Sequence, residues 1–567
     1  MSSALSAGVS GLKAFQQMLD VAGNNIANVN TTAYKASTIH FSELLSETIK
    51  KASQPTSNTG GTNPVQVGSG VGVSGIVADM TQGDITSTGN ALDMALEGQG
   101  YFVLNDGQQN VYTRAGSFSV DEKCYLVDSS TGYRVQRIGN YGEAEGFQVA
   151  GDSDLRVPYD VAMAAAATNT VTVSGNLSSN AITTAGKANV LTASDAFTIN
   201  SGTAATAGAT LSTLDQWTDA TSGGTGTGTF TISGLNHDGD ALVDTGMAVT
   251  GATTLDDIVN HINTVLDAGG TAGANGVATL VNGKICITDA KTGYSLSDAN
   301  MSFTSTDGTK FKTSPYFEIT NVGGDEVKSV SLTVYDRLGS AHVLSAAFVR
   351  TDTANKWDMV LTSITGDVSS ITTDGRRISG IDFNKADGSL AGLDTTIGDT
   401  SAFGVSFAAD PGSEQTINVS MGTVGQLDGL TQFAGDSTAV ASGQDGYTAG
   451  RLSSVSADNE GLLIGTFSNG VKKTIGAVEI ALFQNPAGLE STGSGYCVTS
   501  ANSGEAVYTQ AKSGGAGTLQ GSSLEKSNAD TATEFVNLIT AQNGFQANSR
   551  TIKVASEILQ ELATLIT

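Results

Sequence analysis

Aromatic side chains, cysteine, histidine and positive charge are all scarce in this sequence, and each shortage closes off a class of function. Only 6% of the 567 residues are aromatic, against 39% hydrophobic overall and 70 glycines. Such a composition suits turn-rich β domains better than large aromatic-lined ligand pockets. The 28 basic residues face 55 acidic ones, for a formal charge of -27. A chain so poor in Lys and Arg is ill-suited to a phosphate backbone, so nucleic acid is not an expected partner. The same charge keeps a monomer apart from its neighbours in solution while leaving association through a few apolar surfaces open.

The three cysteines, Cys124, Cys286 and Cys497, are far apart and form no CxxC pair, and they read as unpaired thiols. The four histidines, His40, His237, His261 and His342, belong to no metal-ligand pair. His261 is expected to face outward from a short helix, and His342 to lie in or beside a strand. No serine elbow, phosphate loop or dinucleotide fingerprint stands in a strand-to-helix context. Asp256 and Asp257 are adjacent on a helix and point apart, which suits capping rather than paired-acid catalysis. No calcium loop of the twelve-residue type is visible. The residues therefore predict no catalytic group, no cofactor and no metal. No run approaches ~18 apolar residues, so no membrane insertion is expected. The N-terminus lacks the basic and apolar regions of a cleaved signal, which by itself would read as cytoplasmic.

What the sequence does have is concentrated at its ends. Its length predicts several domains. Leu12, Phe15, Leu19, Ala22, Ile26 and Val29 recur at spacings of 3 and 4, and Leu5 extends the stripe one heptad earlier. An ordinary surface helix would show such a stripe too. At the other end, about Asn528 to Ile566 contains no proline, and Phe535, Leu538, Phe545, Ile552, Ala555, Leu559, Leu562 and Ile566 recur near helical spacing. A helix of that length runs on the order of 50 Å. Gly544 weakens it, by roughly 1 kcal/mol relative to alanine.

Between the helices the pattern changes to period two. Val67, Val71 and Val73 lie in a Gly-rich stretch, and Tyr101-Phe-Val-Leu is followed by a turn at Asn105-Asp-Gly. Val330, Leu332 and Val334 alternate with polar residues, and Asn282-Gly283 and Asn469-Gly470 suit type I′ hairpins. About Asn180 to Gly276 is loaded with Ala, Thr, Gly and Ser, and reads with the hairpin Val277 to Thr288 as an outer inserted domain. Within it, Leu255, Ile258, Val259, Ile262, Val265 and Leu266 mark an amphipathic helix, with Thr254 as cap and Asp257 reciprocating.

The two termini resemble those of the bacterial flagellar rod and hook axial proteins. Ser10-Gly-Leu-Lys-Ala-Phe-Gln-Gln-Met-Leu-Asp-Val-Ala-Gly-Asn-Asn-Ile-Ala-Asn-Val-Asn-Thr-Thr-Ala-Tyr-Lys35 is similar to the family's N-terminal signature, with Asn24, Asn25, Asn28 and Asn30 at its asparagine positions. Asn tolerates left-handed backbone and caps free groups where a helix stops. The C-terminal counterparts are Ser527-Asn-Ala-Asp530, Glu534-Phe-Val-Asn-Leu-Ile and Gln546-Ala-Asn-Ser-Arg-Thr-Ile552. Gly61 to Gly68 and Thr88 to Val103 resemble the linker and first β domain shared by hook and distal-rod proteins, while Val334-Tyr-Asp-Arg-Leu-Gly-Ser-Ala-His342 and Asn469 to Leu489 resemble the hook branch of that family. Ala529 stands where many relatives carry Val, and Asn180 to Lys310 has no placed counterpart.

The resemblance implies a multidomain chain: an α-helical, coiled-coil-like terminal core with several mainly β domains inserted between its two helices. The divisions it suggests are an N-terminal core helix at 1–35, a linker at 36–75, an inner β domain at 76–155 and 436–515, a middle β domain at 156–180 and 316–435, an outer insert at 181–315 and a C-terminal core helix at 516–567. It implies a structural subunit of a curved hollow tube that transmits torque as a universal joint. Its partners would be further copies in an open helical homopolymer, a distal rod protein, a hook cap during growth, a hook-filament junction protein and the flagellar export apparatus. Export without a cleaved signal would then place it outside the cell, displacing the cytoplasmic reading. A distal-rod or junction protein is the nearest alternative, and a secreted β-scaffold hydrolase a remote one. The apolar positions of both stripes are the expected assembly core, and the four asparagines the expected helix stop.

Overall fold

The computed structural model describes residues 2–180, 186–220, 226–267, 273–372, 375–394, 401–410 and 412–566, without the side chains of 2, 3, 562, 565 and 566. Helix α1 spans Ser2–Ala27 and helix α3 spans Thr531–Ile566. Between them, among the described residues, lies one further α-helix, α2 (Leu255–Leu266), in an otherwise mainly β arrangement. Asp530 starts α3, its carboxylate accepting from the backbone N–H of Ala532 (3.2 Å) and Thr533 (3.1 Å), donors that a helix start leaves free.

The chain divides into two compact units, Met1–Met163 with Gly450–Thr567, and Ala164–Ala449. In the first unit, α1 and α3 pack against each other. The stretch following α1, assigned from sequence as a linker, forms an antiparallel ribbon: Ser37–Glu43 pairs with Val71–Ala78, and Ser46–Lys50 with Val65–Gly68. The unit also holds a nine-stranded sheet, a four-stranded sheet built from Ala162–Met163, Gly450–Ala457, Leu462–Phe467 and Lys472–Ala477, and two strand pairs, Met94–Glu97 with Thr518–Gly521 and Ile85–Ser87 with Ser523–Glu525.

The second unit has a middle sheet of five strands in the order Val327–Tyr335, Ala341–Arg350, Lys356–Ile364, Arg377–Phe383, Leu390–Leu393. Its side chains alternate between two cores, as period-two geometry requires. Ala346, Phe348, Trp357, Met359 and Leu361 join a core with a second sheet that includes Thr170–Ser178, Ala402–Phe407 and Gln415–Ser420. Ala347, Val349 and Val360 point the other way, into the core of an outer lobe. That lobe holds the sheet Gly276–Val281, Lys284–Thr292, Ala188–Ala193, Phe317–Asn321, a three-stranded sheet, and α2. The strand Phe317–Asn321, which the boundary drawn at 315 leaves to the middle domain, pairs with Ala188–Ala193 in the sheet of the outer lobe.

All six apolar residues expected to face inward from α2 are buried, and Thr254 and Asp257 exchange the expected capping bonds, 3.2 Å and 2.9 Å. The Asn282-Gly283 turn has φ of 53° and 76°, as a type I′ turn needs. The Asn469-Gly470 turn differs from its expectation. Only Gly470 is left-handed (φ 81°), and Gly470 N–H bonds Phe467 O while Phe467 N–H bonds Val471 O. This is the three-residue hairpin loop with a closing glycine. His261 also departs from its outward expectation. Its Nε2 lies 3.0 Å from Asp244 Oδ1, whose carboxylate also accepts from the backbone of Ile232 and Gly246. His342 sits within the strand Ala341–Arg350, as expected.

Candidate assembly site: the terminal helices and their base

The helix pair is built on small residues. A Cβ added to Gly8 would stand 3.0 Å from Ile552 Cγ1, one on Gly11 2.8 Å from Asn548 Oδ1, and one on Gly544 2.6 Å from the Phe15 ring. The apolar residues buried in the two helices, among the described ones, are Ala14, Ala22 and Ala541. Gly544 thus does more than weaken α3: its missing side chain lets Phe15 lie against the helix backbone. The two helices run antiparallel, since Gly8 meets Ile552 while Asn25 meets Glu534.

The expected stripe residues divide accordingly. Phe15, Ala22 and Ile552 lie where the helices approach each other or are buried, and Phe15 also meets the ribbon's Phe41, ring centroids 6.1 Å apart. Leu5, Leu12, Leu19, Ile26, Val29, Leu538, Phe545 and Ala555 are half-buried. Phe535 is 54% exposed and Leu559 43%, in company with Val536, Ile539, Val554 and Ile558. Leu562 and Ile566 fall outside the described side chains. The ribbon adds exposed Leu45 (88%), Ile49 and Ile76. A monomer that leaves this many large apolar groups in water carries an unsatisfied surface.

At the base of the helices lies a buried polar clasp. Asn25 uses its whole amide: Oδ1 accepts from Ser37 N–H (3.0 Å) and Tyr34 O–H (3.0 Å), while Nδ2 donates to Ser37 O (2.8 Å) and Glu534 Oε1 (2.9 Å). One side chain therefore ties the end of α1 to the start of the ribbon and the first turn of α3. Burial, and after it the Glu534 carboxylate, hold the Tyr34 hydroxyl above its usual pKa. Asn24 Nδ2 donates to Tyr34 Oη (3.1 Å), and Asn28 Nδ2 donates to Asn24 O (2.9 Å), closing the last turn. Asn30 is exposed. None of the four asparagines is left-handed; that conformation falls on Ala33 (φ 55°), whose N–H donates to Glu525 O (2.8 Å).

Beside Asn25 sits an ionic centre. The Glu525 side chain is fully buried, accepts from Lys35 Nζ (2.6 Å) and Gly83 N–H (2.9 Å), and lies 3.4 Å from Arg114 Nη1. Lys35 Nζ also donates to Thr81 O (2.7 Å), and Arg114 Nη2 to Gly98 O (2.6 Å). Desolvation lowers the Lys35 pKa, against the opposing pull of Glu525. Asn528 accepts from Ala36 N–H (2.7 Å) and donates to Asp79 O (2.9 Å) and Thr81 O (3.1 Å). Sequence reasoning placed Lys35, Asn528 and Glu534 within motifs but assigned them no role, and it missed Arg114 and Glu525. Lys35 and Glu525 are 490 positions apart, and no periodicity joins them.

The comparisons with known proteins fall on these same segments. A family model for the flagellar basal body rod protein matches residues 5–35, one for the flagellar hook protein FlgE/F/G D1 domain 95–190, one for the flagellar basal body protein FlaE D2 domain 281–447, and one for the flagellar basal body rod FlgEFG protein C-terminal region 520–565. The flagellar hook protein FlgE of Borreliella burgdorferi is 28% identical over 577 residues, and that of Treponema pallidum 29% over 569, each covering all of both chains. A crystal structure of the Helicobacter pylori flagellar hook protein FlgE2 covers 77% of this chain and 99% of its own, at 15% identity and a TM-score of 0.38. The chain belongs to the flagellar hook and rod axial protein family. Within that family it is a structural axial subunit of the hook, extracellular and associated with the basal body, and not an enzyme.

Proposed function

We propose that the subunit polymerises through α1, α3 and the ribbon into a curved hollow tube that serves as a universal joint between rod and filament. The observation that carries this reading is the exposed apolar surface of α3, with Phe535, Val536, Ile539 and Ile558 open to water away from the seam with α1, and Leu559 open to water two turns beyond Ile552 on the seam stripe itself. A repeated contact that does not close on itself gives an open helical assembly. In this reading α1 and α3 form a coiled-coil-like inner core, with Leu5, Leu12, Phe15, Leu19, Ala22, Ile26, Val29, Phe535, Leu538, Phe545, Ile552, Ala555, Leu559, Leu562 and Ile566 as its packing positions. The inner, middle and outer β domains are inserted between its two helices, with the divisions drawn from the sequence. The clasp of Asn25, Glu534 and Glu525 carries load from the helices into the β domains. The distal rod protein and the junction protein meet its two ends, a cap covers growing tubes, and the subunit leaves the cell through the flagellar export apparatus without a cleaved signal.

Replacing Leu559 or Leu12 by Asp tests the assembly surface. Burying an unpaired carboxylate in every subunit costs several kcal/mol, so the purified variants should remain folded and fail to form tubes under conditions in which the parent polymerises. Tubes of normal length in electron micrographs of either variant would remove these stripes from the assembly contact.

A further inference from the structure

We propose that Arg376 and Arg377 are positioning residues that staple the outer lobe to the middle sheet, so that Ala164–Ala449 turns as one lever rather than as two jointed beads. The two arginines stand at the start of the strand Arg377–Phe383 and reach out of the middle sheet into the lobe packed on it. Arg376 is buried. Its Nε donates to Leu361 O of its own sheet (3.1 Å), while Nη1 pairs with Asp298 (2.5 Å) and Nη2 bonds Phe317 O, both in the outer lobe. Arg377 divides itself in the same way. Nη1 pairs with Asp358 of the middle sheet (3.2 Å) and Nη2 donates to Ser295 O of the lobe (2.8 Å), with the guanidinium over the Tyr294 ring. Asp358, itself buried, accepts from Gly380 N–H (2.9 Å) and from the Tyr294 hydroxyl.

Each guanidinium therefore spends some donors on one body and some on the other, a task for which its rigid planar fork is suited and a lysine ammonium is not. The apolar contact beneath supplies little direction of its own: among the described residues, the middle sheet contributes Ala347, Val349 and Val360 to the lobe's core. Burial without direction permits sliding, whereas the three polar contacts that cross the junction, to Asp298, Phe317 and Ser295, do not, and Leu361 and Asp358 anchor the same guanidinium groups in the middle sheet. Two grooves of about 800 and 830 Å³ open beside the junction, one including Lys187 and Ser345 and the other Asp195 and Tyr316, and they leave room for the lobe to rock once released.

The consequence for bending rests on the tube reading, but the staple itself is tested on the isolated subunit. Spin labels at Thr279 of the lobe and Lys385 of the middle domain, with the native cysteines replaced by serine, report the distance between the two bodies. The Arg376→Ala/Arg377→Ala variant should widen that distance distribution by roughly a factor of two, as expected when buried ion pairs lose their partners. Arg376→Lys should fail to restore the width, and Asp298→Asn, which leaves both arginines in place, should widen it less. Hydrogen exchange in α2 and in Lys356–Ile364 should stay slow in all of them, which separates loosening from unfolding. An unchanged width in folded double variant and in Asp298→Asn alike overturns the proposal. Tubes formed by the variants would leave the assembly reading intact whichever way the widths fall.

Discussion

The terminal helices and the middle β domain invest their apolar residues in opposite ways. In the middle domain Trp357, Phe348 and Phe403 lie in a common core from which water is excluded. In the helices the apolar residues taken out of water are alanines, beside the seam glycines and the polar pair Asn25 and Glu534, while Phe535, Val536, Ile539 and Leu559 stay outside. A fully buried aromatic or aliphatic side chain contributes about 1.5–3 kcal/mol, and an alanine far less, whereas ordering a backbone residue costs about 1–2 kcal/mol in either place. The middle domain closes that balance alone, but the helix pair needs neighbours. The difference teaches that the same chain holds a finished body and an unfinished one, and the proposed assembly contact falls on the unfinished part.

The widest separation should appear in amide exchange of the free subunit. Residues 2–30 and 531–566 are expected to exchange orders of magnitude faster than Ala341–Arg350 and Lys356–Ile364, and to become protected in the tube, because helix stability comes mainly from packing. Equal, strong protection in both regions of the monomer would erase the contrast.

Next in size is the ionic centre. Glu525→Gln leaves Lys35 and Arg114 buried without their counter-charge, which costs ~3–5 kcal/mol. Chemical denaturation should show this loss in the unit that carries the helices and leave the Ala164–Ala449 unit unmoved. A loss in both would mean that the two do not unfold independently.

The close seam makes a smaller but more pointed case. Gly544→Ala gains about 1 kcal/mol of helix propensity, yet its methyl would stand 2.6 Å from Phe15. Overpacking of that kind costs ~1–3 kcal/mol, so the substitution should destabilise the helix pair, and adding Phe15→Ala should recover part of the loss. Stabilisation by Gly544→Ala alone would show that the helices do not meet through this glycine.

The smallest effect is set by pH. Glu479 is half-buried, and desolvation pushes its pKa up to about 7 from 4.5. Between those values the unfolded chain has given up a proton that the folded one keeps, so the contribution of Glu479 to stability is greatest below about 4.5 and is lost as pH rises through about 7. Partial exposure screens the effect to ~1 kcal/mol. Glu479→Gln should flatten that slope, and a denaturation midpoint whose pH dependence survives the substitution would assign the slope to another group.

Much of this molecule was legible in the sequence, because local rules act over a few residues. The stripes from Leu5 to Val29 and from Phe535 to Ile566 marked two helices, Thr254 and Asp257 marked the cap of α2, and Asn282-Gly283 marked a hairpin. The motifs around Asn25 and Asn528 led to the family. Periodicity states which faces of a helix are apolar, but it does not say which face comes closest to its partner. Only the tertiary structure showed that the approach is made through Gly8, Gly11 and Gly544, because close contact is governed by missing side chains rather than by hydrophobic ones. Lys35 with Glu525, Asn25 with Glu534 and Arg376 with Asp298 were equally hidden. Each is a charged or polar pair formed by segments distant in the chain, and burial, which gives such a pair its strength, exists only once the chain has folded.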